Sequence, residues 1–131
     1  MKKYIVLSIS ILFVLFQSCN GTNSDADEVM EPGHFLETLE NDTEGQLVDV
    51  RTTEEFGVSH IKDAQNICVT DDDFEEKIKV LDKKKPVYVY CRSGNRSARA
   101  AKILKEKGFT RVYDLEGGIT SWDEQGLETE Q

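Results

Sequence analysis

In the stretch VYVYCRSGNRSARAAKIL, residues 87–104, Cys91 is followed by Arg92, Arg96 and Arg99, so three guanidinium groups fall within eight residues of one thiol. The thiolate, not the thiol, is the reactive nucleophile, and nearby cations or a helix N-terminus bring its formation below the free value of about 8.5. The chain as a whole has the opposite sign, with a formal net charge of -9. A local reversal of charge around a sulfur can first stabilise the thiolate and then hold an anionic substrate above it. Gly94 lets the loop turn with its backbone close to a ligand, while Ser93, Asn95 and Ser97 can donate hydrogen bonds or hold the loop shape. The plainer reading is a buried core cysteine beside a solvated arginine face, which fits an isolated cysteine better than one placed at a strand end.

Such a loop needs a strand that ends at the thiol and a helix that begins beyond it. PVYVY, residues 86–90, predicts that strand, opened by a proline where a strand can accept one. SARAAKILKEKG, residues 97–108, predicts the helix, with Ala98, Ala101 and Leu104 at helical spacing, lysines in the last turn and Gly108 as the stop. The helix start then lies about six residues past Cys91, and its unpaired N–H groups and dipole favour negative charge there. The other elements alternate in the same way. GHFLETLEND puts Phe35, Leu36 and Leu39 on one helical face behind Pro32, QLVDVR reads as a buried strand, and DDDFEEKIKVLDKKK sets Phe74, Ile78 and Leu81 at helical spacing behind an aspartate cluster. RVYDL is a last strand and GGITSWDEQG a closing turn and short helix. Strands separated by helices predict an α/β fold, a parallel sheet covered on both faces, with ligands at the carboxyl ends of the strands.

The length of 131 residues is that of one domain. MKKYIVLSISILFVLFQSC places Lys2 and Lys3 before thirteen mostly apolar residues, Tyr4 to Phe16, which predicts a secretory signal over residues 1–18. That run is shorter than the roughly 17 to 25 residues that span a bilayer. LFQSCN resembles a bacterial lipobox, which implies that Cys19 is lipidated and heads the mature chain, although Phe16 stands where a smaller aliphatic residue is more usual. Ordinary signal cleavage with Cys19 left as a spare thiol is the alternative. The expected location is the cell envelope, lipid-anchored and facing the periplasm or the cell exterior. Residues 19–28 read as a flexible tether, 29–126 as the domain and 127–131 as a tail. Removing residues 1–18, which hold two lysines and no acid, takes the formal charge to -11, a poor balance for binding nucleic acid. Two cysteines, Cys68 and Cys91, then remain in the domain, so no disulfide framework is implied, though a bridge between them is open in an oxidising compartment.

LVDVRTTEEFGVSHIKDAQNI, VYVYCRSGNRSARAA and DLEGGITSW together resemble the single-domain rhodanese-like sulfurtransferases, over about one hundred residues from Val29 to Gly126. The loop pattern Cys-x-x-Gly-x-Arg-Ser is the most specific part. The resemblance implies a parallel sheet of about five strands, with Cys91 as the nucleophile that takes a sulfane sulfur as a persulfide. It implies that Arg92, Ser93, Gly94, Asn95, Arg96 and Ser97 cradle the substrate. The partners it implies are a small anionic donor such as thiosulfate and a thiol or cyanide-like acceptor, with no metal or cofactor. Asp49 and Arg51 match a structural element that holds neighbouring loops, and His60 a structural histidine. Gly117, Gly118 and Trp122 match a closing motif in which the glycines make a tight turn and the tryptophan packs. SHIKDA departs from the commoner Gly-His-Ile-Pro-Gly-Ala, and Cys68 stands where proline is frequent, as a small apolar strand residue.

Other chemistries remain. A cysteine phosphatase needs an arginine six positions after the cysteine and usually a histidine before it, whereas here Arg96 is five positions on, Ser97 is sixth and Tyr90 precedes. The shorter loop makes a smaller ring, which suits a terminal sulfur better than a phosphoryl group. A carrier that holds sulfur without turnover, or a protein-binding module, would use the same residues. Thiol–disulfide exchange between Cys91 and Cys68 lacks the usual Cys-x-x-Cys spacing.

Overall fold

The computed structural model describes residues 28–131, so the signal segment, Cys19 and nearly all of the expected tether lie outside the described residues. The chain runs β1 (Glu28–Met30), α1 (Pro32–Asn41), β2 (Gln46–Asp49), α2 (Thr53–Val58), β3 (Gln65–Asn66), α3 (Phe74–Lys77) with a 3-10 turn over Ile78–Val80, β4 (Val87–Tyr90), α4 (Asn95–Glu106), β5 (Val112–Leu115) and α5 (Gly118–Glu124). All strand pairs are parallel, in the order β1-β5-β4-β2-β3. From β2 the chain continues outward to β3, and from β4 it continues the other way to β5. The carboxyl ends of β2 and β4 therefore flank a topological switch point, where sheets of this kind open a crevice for ligands.

Strand alternation sorts the core into two layers. Val87, Val89 and Cys91 point to the side covered by Phe74, Ile78, Ala100, Ala101 and Leu104, while Tyr88 and Tyr90 point to the side covered by Phe35, Ile119 and Trp122. Helices thus cover both faces, as the alternation of elements predicts. Phe35 meets Tyr88 and Trp122 edge-on at 5.5 and 6.4 Å between ring centroids, an arrangement that aromatic quadrupoles favour. Pro32 takes the first position of α1, and Glu31 caps that helix, accepting the Gly33 and His34 N–H groups at 3.0 and 2.7 Å.

Four boundaries differ from expectation. β1 begins at Glu28, which pairs with Tyr113, so the sheet includes a residue expected in the tether. α4 starts at Asn95, four residues past Cys91, and Ala98 is exposed while Ala100, Ala101 and Leu104 are buried. The expected helix after the aspartate cluster is a single α turn followed by a 3-10 turn. Phe74, Ile78 and Leu81 are buried all the same, because their spacing asks only that three side chains reach one face. Residues 127–131 are not a free tail. Leu127 packs on the Trp122 side of the core, the Trp122 indole N–H donates to the Glu128 carbonyl at 3.0 Å, and Glu130 and His60 exchange backbone hydrogen bonds at 2.8 Å each. β1, β3 and α2 carry no separate expectation, and α2 is opened by Thr52 and Glu55 with a reciprocal capping box.

Candidate active site

Cys91 directly follows β4, and its backbone is gripped from α5. The Ile119 N–H donates to the Cys91 carbonyl at 2.9 Å and the Thr120 N–H to the Arg92 carbonyl at 3.1 Å. With its carbonyls turned toward α5, the loop turns back on itself and Gly94 enters α4 at φ +110, a conformation that costs glycine little. The result is a small ring around the sulfur. The Gly94 N–H donates to Sγ at 3.0 Å, and the Ser97 hydroxyl stands 3.4 Å from Sγ and 3.1 Å from the Gly94 carbonyl.

Cys91 is 1% exposed, and burial alone pushes a thiol up. The opposing hydrogen bonds win: the Ser97 hydroxyl, then the N–H groups of Ser97, Gly94 and Ser93, bring its ionisation below that of a free thiol. In the thiol form the S–H can donate to Ser97 Oγ while that hydroxyl donates to the Gly94 carbonyl. In the thiolate form the hydroxyl can rotate to donate to sulfur. Ser97→Ala is accordingly expected to move the onset of Cys91 reactivity to higher pH and slow alkylation by iodoacetamide at neutral pH by about tenfold, the low end for losing a hydrogen bond to a charged group. A rate–pH profile with an unchanged midpoint would show that the backbone donors suffice.

Of the residues expected in the cradle, Ser93, Gly94 and Ser97 contribute donors at the sulfur. Asn95 is exposed as the first residue of α4, and Arg92 and Arg99 are also exposed. Arg96 differs from expectation. Its guanidinium is not open to a ligand on all sides but lies against Glu55 of α2, Nη1 to Oε2 at 2.7 Å and Nη2 to Oε1 at 2.8 Å. This ion pair holds the Glu55 carboxyl well below its ordinary value of 4.5, down to about 2, against the opposing effect of burial. The stability it contributes is present above the ordinary carboxylate value and is lost only as pH falls toward 2.

Asp49 and Arg51 hold the loops that flank the ring. Arg51 Nη2 meets Asp49 Oδ2 at 2.6 Å and the Ser59 carbonyl at 2.7 Å, and Asn66 Nδ2 ties the Asp49 and Arg51 carbonyls at 3.1 and 2.8 Å. His60 stacks on Phe56 with centroids 3.8 Å apart, and its Nδ1 lies 3.0 Å from the Phe56 carbonyl. Cys68 is buried just past β3 with Sγ 3.2 Å from the Thr70 hydroxyl, and it and Cys91 are both free thiols. Among the described residues, no group of His, Cys, Asp and Glu could hold a metal ion. A cavity of about 590 Å³ is lined by residues such as Leu36, Leu39, Ile61 and Leu127 and includes no residue of the Cys91 loop. The sulfur sits in a cradle made by the Ser97 hydroxyl and the N–H groups of Ser93, Gly94 and Ser97, which suits a ligand of a few atoms. Glu55 is the site residue that residue types near Cys91 do not reveal. The Thr-x-x-Glu pattern at 52–55 announces its helix, though not its reach to Arg96.

The Rhodanese-like domain family matches residues 32–125. A thiosulfate sulfurtransferase, GlpE, of Actinobacillus pleuropneumoniae is 33% identical over 101 residues, covering 77% of this chain and 91% of that protein. An uncharacterized protein of Bacillus subtilis, YqhL, is 40% identical over 77 residues, and the match spans 59% of this chain and 60% of YqhL. Among solved structures, a rhodanese-related protein from Thermoplasma volcanium superposes with a TM-score of 0.69 at 31% identity, over 79% of this chain and 97% of that one.

Proposed function

The chain belongs to the rhodanese-like domain family of sulfurtransferases, and from that premise we propose that it moves a sulfane sulfur from a small anionic donor to a thiophilic acceptor through a persulfide on Cys91. The observation that carries this reading is the buried Sγ with the Gly94 N–H at 3.0 Å, at the N-terminus of α4. With thiosulfate, the Cys91 thiolate attacks the outer sulfur, the S–S bond of the donor breaks, and its electron pair leaves with sulfite. The product is a Cys91 persulfide whose terminal sulfur carries the negative charge. The N–H groups that favour the thiolate favour this anion as well, so the ring stabilises charge before and after transfer. Cyanide or a thiolate then attacks the terminal sulfur, and the electron pair returns to Cys91. Name and overlap with the Actinobacillus enzyme support thiosulfate as the first donor to assay.

A carrier that forms the persulfide once uses the same first step, so two measurements separate the readings. Mass spectrometry after thiosulfate treatment should show one added sulfur on the Cys91 peptide, absent in Cys91→Ser. Multiple turnovers with cyanide or a thiol should then follow. No added sulfur would overturn the reading, and addition without turnover would favour the carrier.

For location we propose export and lipid attachment at Cys19, supported by Lys2, Lys3, the apolar run and Ser18 in order. Cys19→Ser should leave an uncleaved or released chain. A mature wild-type chain with no acyl mass would end the lipoprotein reading.

A further inference from the structure

The carboxylate of Glu55 is fixed from both sides. Oε2 accepts the Thr52 N–H and hydroxyl at 3.0 Å each as well as Arg96 Nη1 at 2.7 Å, and Oε1 accepts Arg96 Nη2 at 2.8 Å. Glu55 is therefore anchored in its own helix cap and cannot follow Arg96 if that side chain turns toward a ligand. Two-point pairing of a guanidinium with a carboxylate is among the stronger hydrogen-bonded arrangements, and this one is only partly exposed, 28% and 27% for the two side chains. Arg96 directly precedes Ser97, whose hydroxyl stands 3.4 Å from the Cys91 sulfur, so the pair lies beside the ring that holds the thiol. A fixed negative charge thus offsets one arginine of the loop, leaving exposed Arg92 as the other.

We propose that Glu55 is a positioning residue that sets donor preference at Cys91: by clamping Arg96 in a two-point ion pair it cancels a cation beside the sulfur and biases the site toward singly charged or neutral donors over dianions. The substrate class rests on the sulfur-transfer reading, but the charge setting does not. Glu55→Gln keeps an acceptor for Thr52 while freeing the charge of Arg96, and Glu55→Gln with Arg96→Gln removes both charges.

The test compares Cys91 alkylation by iodoacetate, an anion, and by iodoacetamide, which is neutral, with the modified peptide identified by mass. Taking the ratio of the two rates cancels any change in thiolate fraction. The ratio is expected to rise about fivefold in Glu55→Gln, to return to the wild-type value in the double variant, and to rise less at high salt. In turnover, preference for thiosulfate over singly charged methanethiosulfonate should rise in Glu55→Gln, mainly through KM. An unchanged ratio, or an equal rise in both variants, alongside intact sulfur transfer overturns the Glu55 proposal alone. A ratio that changes as expected in a protein that never gains sulfur overturns the sulfur-transfer reading and leaves the charge setting standing. If neither reagent alkylates Cys91, the turnover preference decides, and a preference unchanged in Glu55→Gln overturns the charge setting.

Discussion

Gly118→Ala is expected to destabilise the fold by about 3 kcal/mol or more and to lower the melting temperature by more than about 10 °C. Gly118 sits at φ +60, and a Cβ there would come within 2.5 Å of the Arg92 carbonyl carbon and oxygen and of the Cys91 carbonyl oxygen. Every one of those atoms is backbone, so no side chain can swing aside. The left-handed conformation alone costs a non-glycine residue about 1 to 3 kcal/mol. Relief requires α5 to back away from the Cys91 loop, stretching the Ile119 and Thr120 hydrogen bonds to it, at about 1 kcal/mol each. The same shift drags Ile119 and Trp122 out of the core. Gly57→Ala is the control, since a Cβ at that helical position meets nothing within 4 Å and is expected to be neutral or slightly stabilising. The measurement is a pair of thermal melts with thiosulfate turnover beside each. A loss below about 1 kcal/mol in Gly118→Ala would show that α5 floats on the loop rather than gripping it.

That grip explains what was legible in the sequence and what was not. The nucleophile, its strand and the following helix are contiguous from Val87 to Glu106, so apolar runs and spacing locate them. Gly117, Gly118 and Trp122 could be read as turn and packing residues. That Gly118 presses on the backbone of Cys91 is a contact across 27 positions, and residue types carry no sign of it. Glu55 and Arg96 meet across 41 positions, so an arginine expected to face substrate faces a carboxylate instead. The segment 127–131 reads as a tail because its residues are mostly polar, yet what the fold uses there is largely backbone, the Glu128 carbonyl under the Trp122 indole and the Glu130 pairing with His60. Backbone groups are the same in every sequence, so such contacts emerge only with the fold. The early start of α4 has a local cause, because Gly94 completes the turn by itself and leaves Asn95 and Arg96 free to be helical.

The start of α4 also decides where ring size should be tested. Lengthening the loop after Asn95 would cut the first helical turn and pull Ser97 and Arg96 from their partners, so a loss of activity would have several causes. One glycine inserted between Ser93 and Gly94 falls instead in the exposed bend. It leaves the Ser97 bond to the Gly94 carbonyl and the Arg96–Glu55 pair on the far side of the insertion, and it gives Arg96 the phosphatase spacing. The wider ring moves the Ser93 N–H, and the Gly94 N–H no longer closes at 3.0 Å on Sγ without strain. Displacing donors by about 1 Å costs on the order of a hundredfold in rate, so sulfur transfer is expected to fall by about that factor. The thiolate should persist, because the N-terminus of α4 stays beside it. Thiosulfate turnover, aryl phosphate hydrolysis and arsenate binding are measured for wild type and insertion variant. Phosphate hydrolysis by the wild type exceeding its sulfur transfer would sink the sulfurtransferase reading. Undiminished sulfur transfer in the insertion variant would sink only the claim that ring size selects sulfur, and would shift the explanation to the charge balance that Glu55, Arg96 and Arg92 set around the same atom.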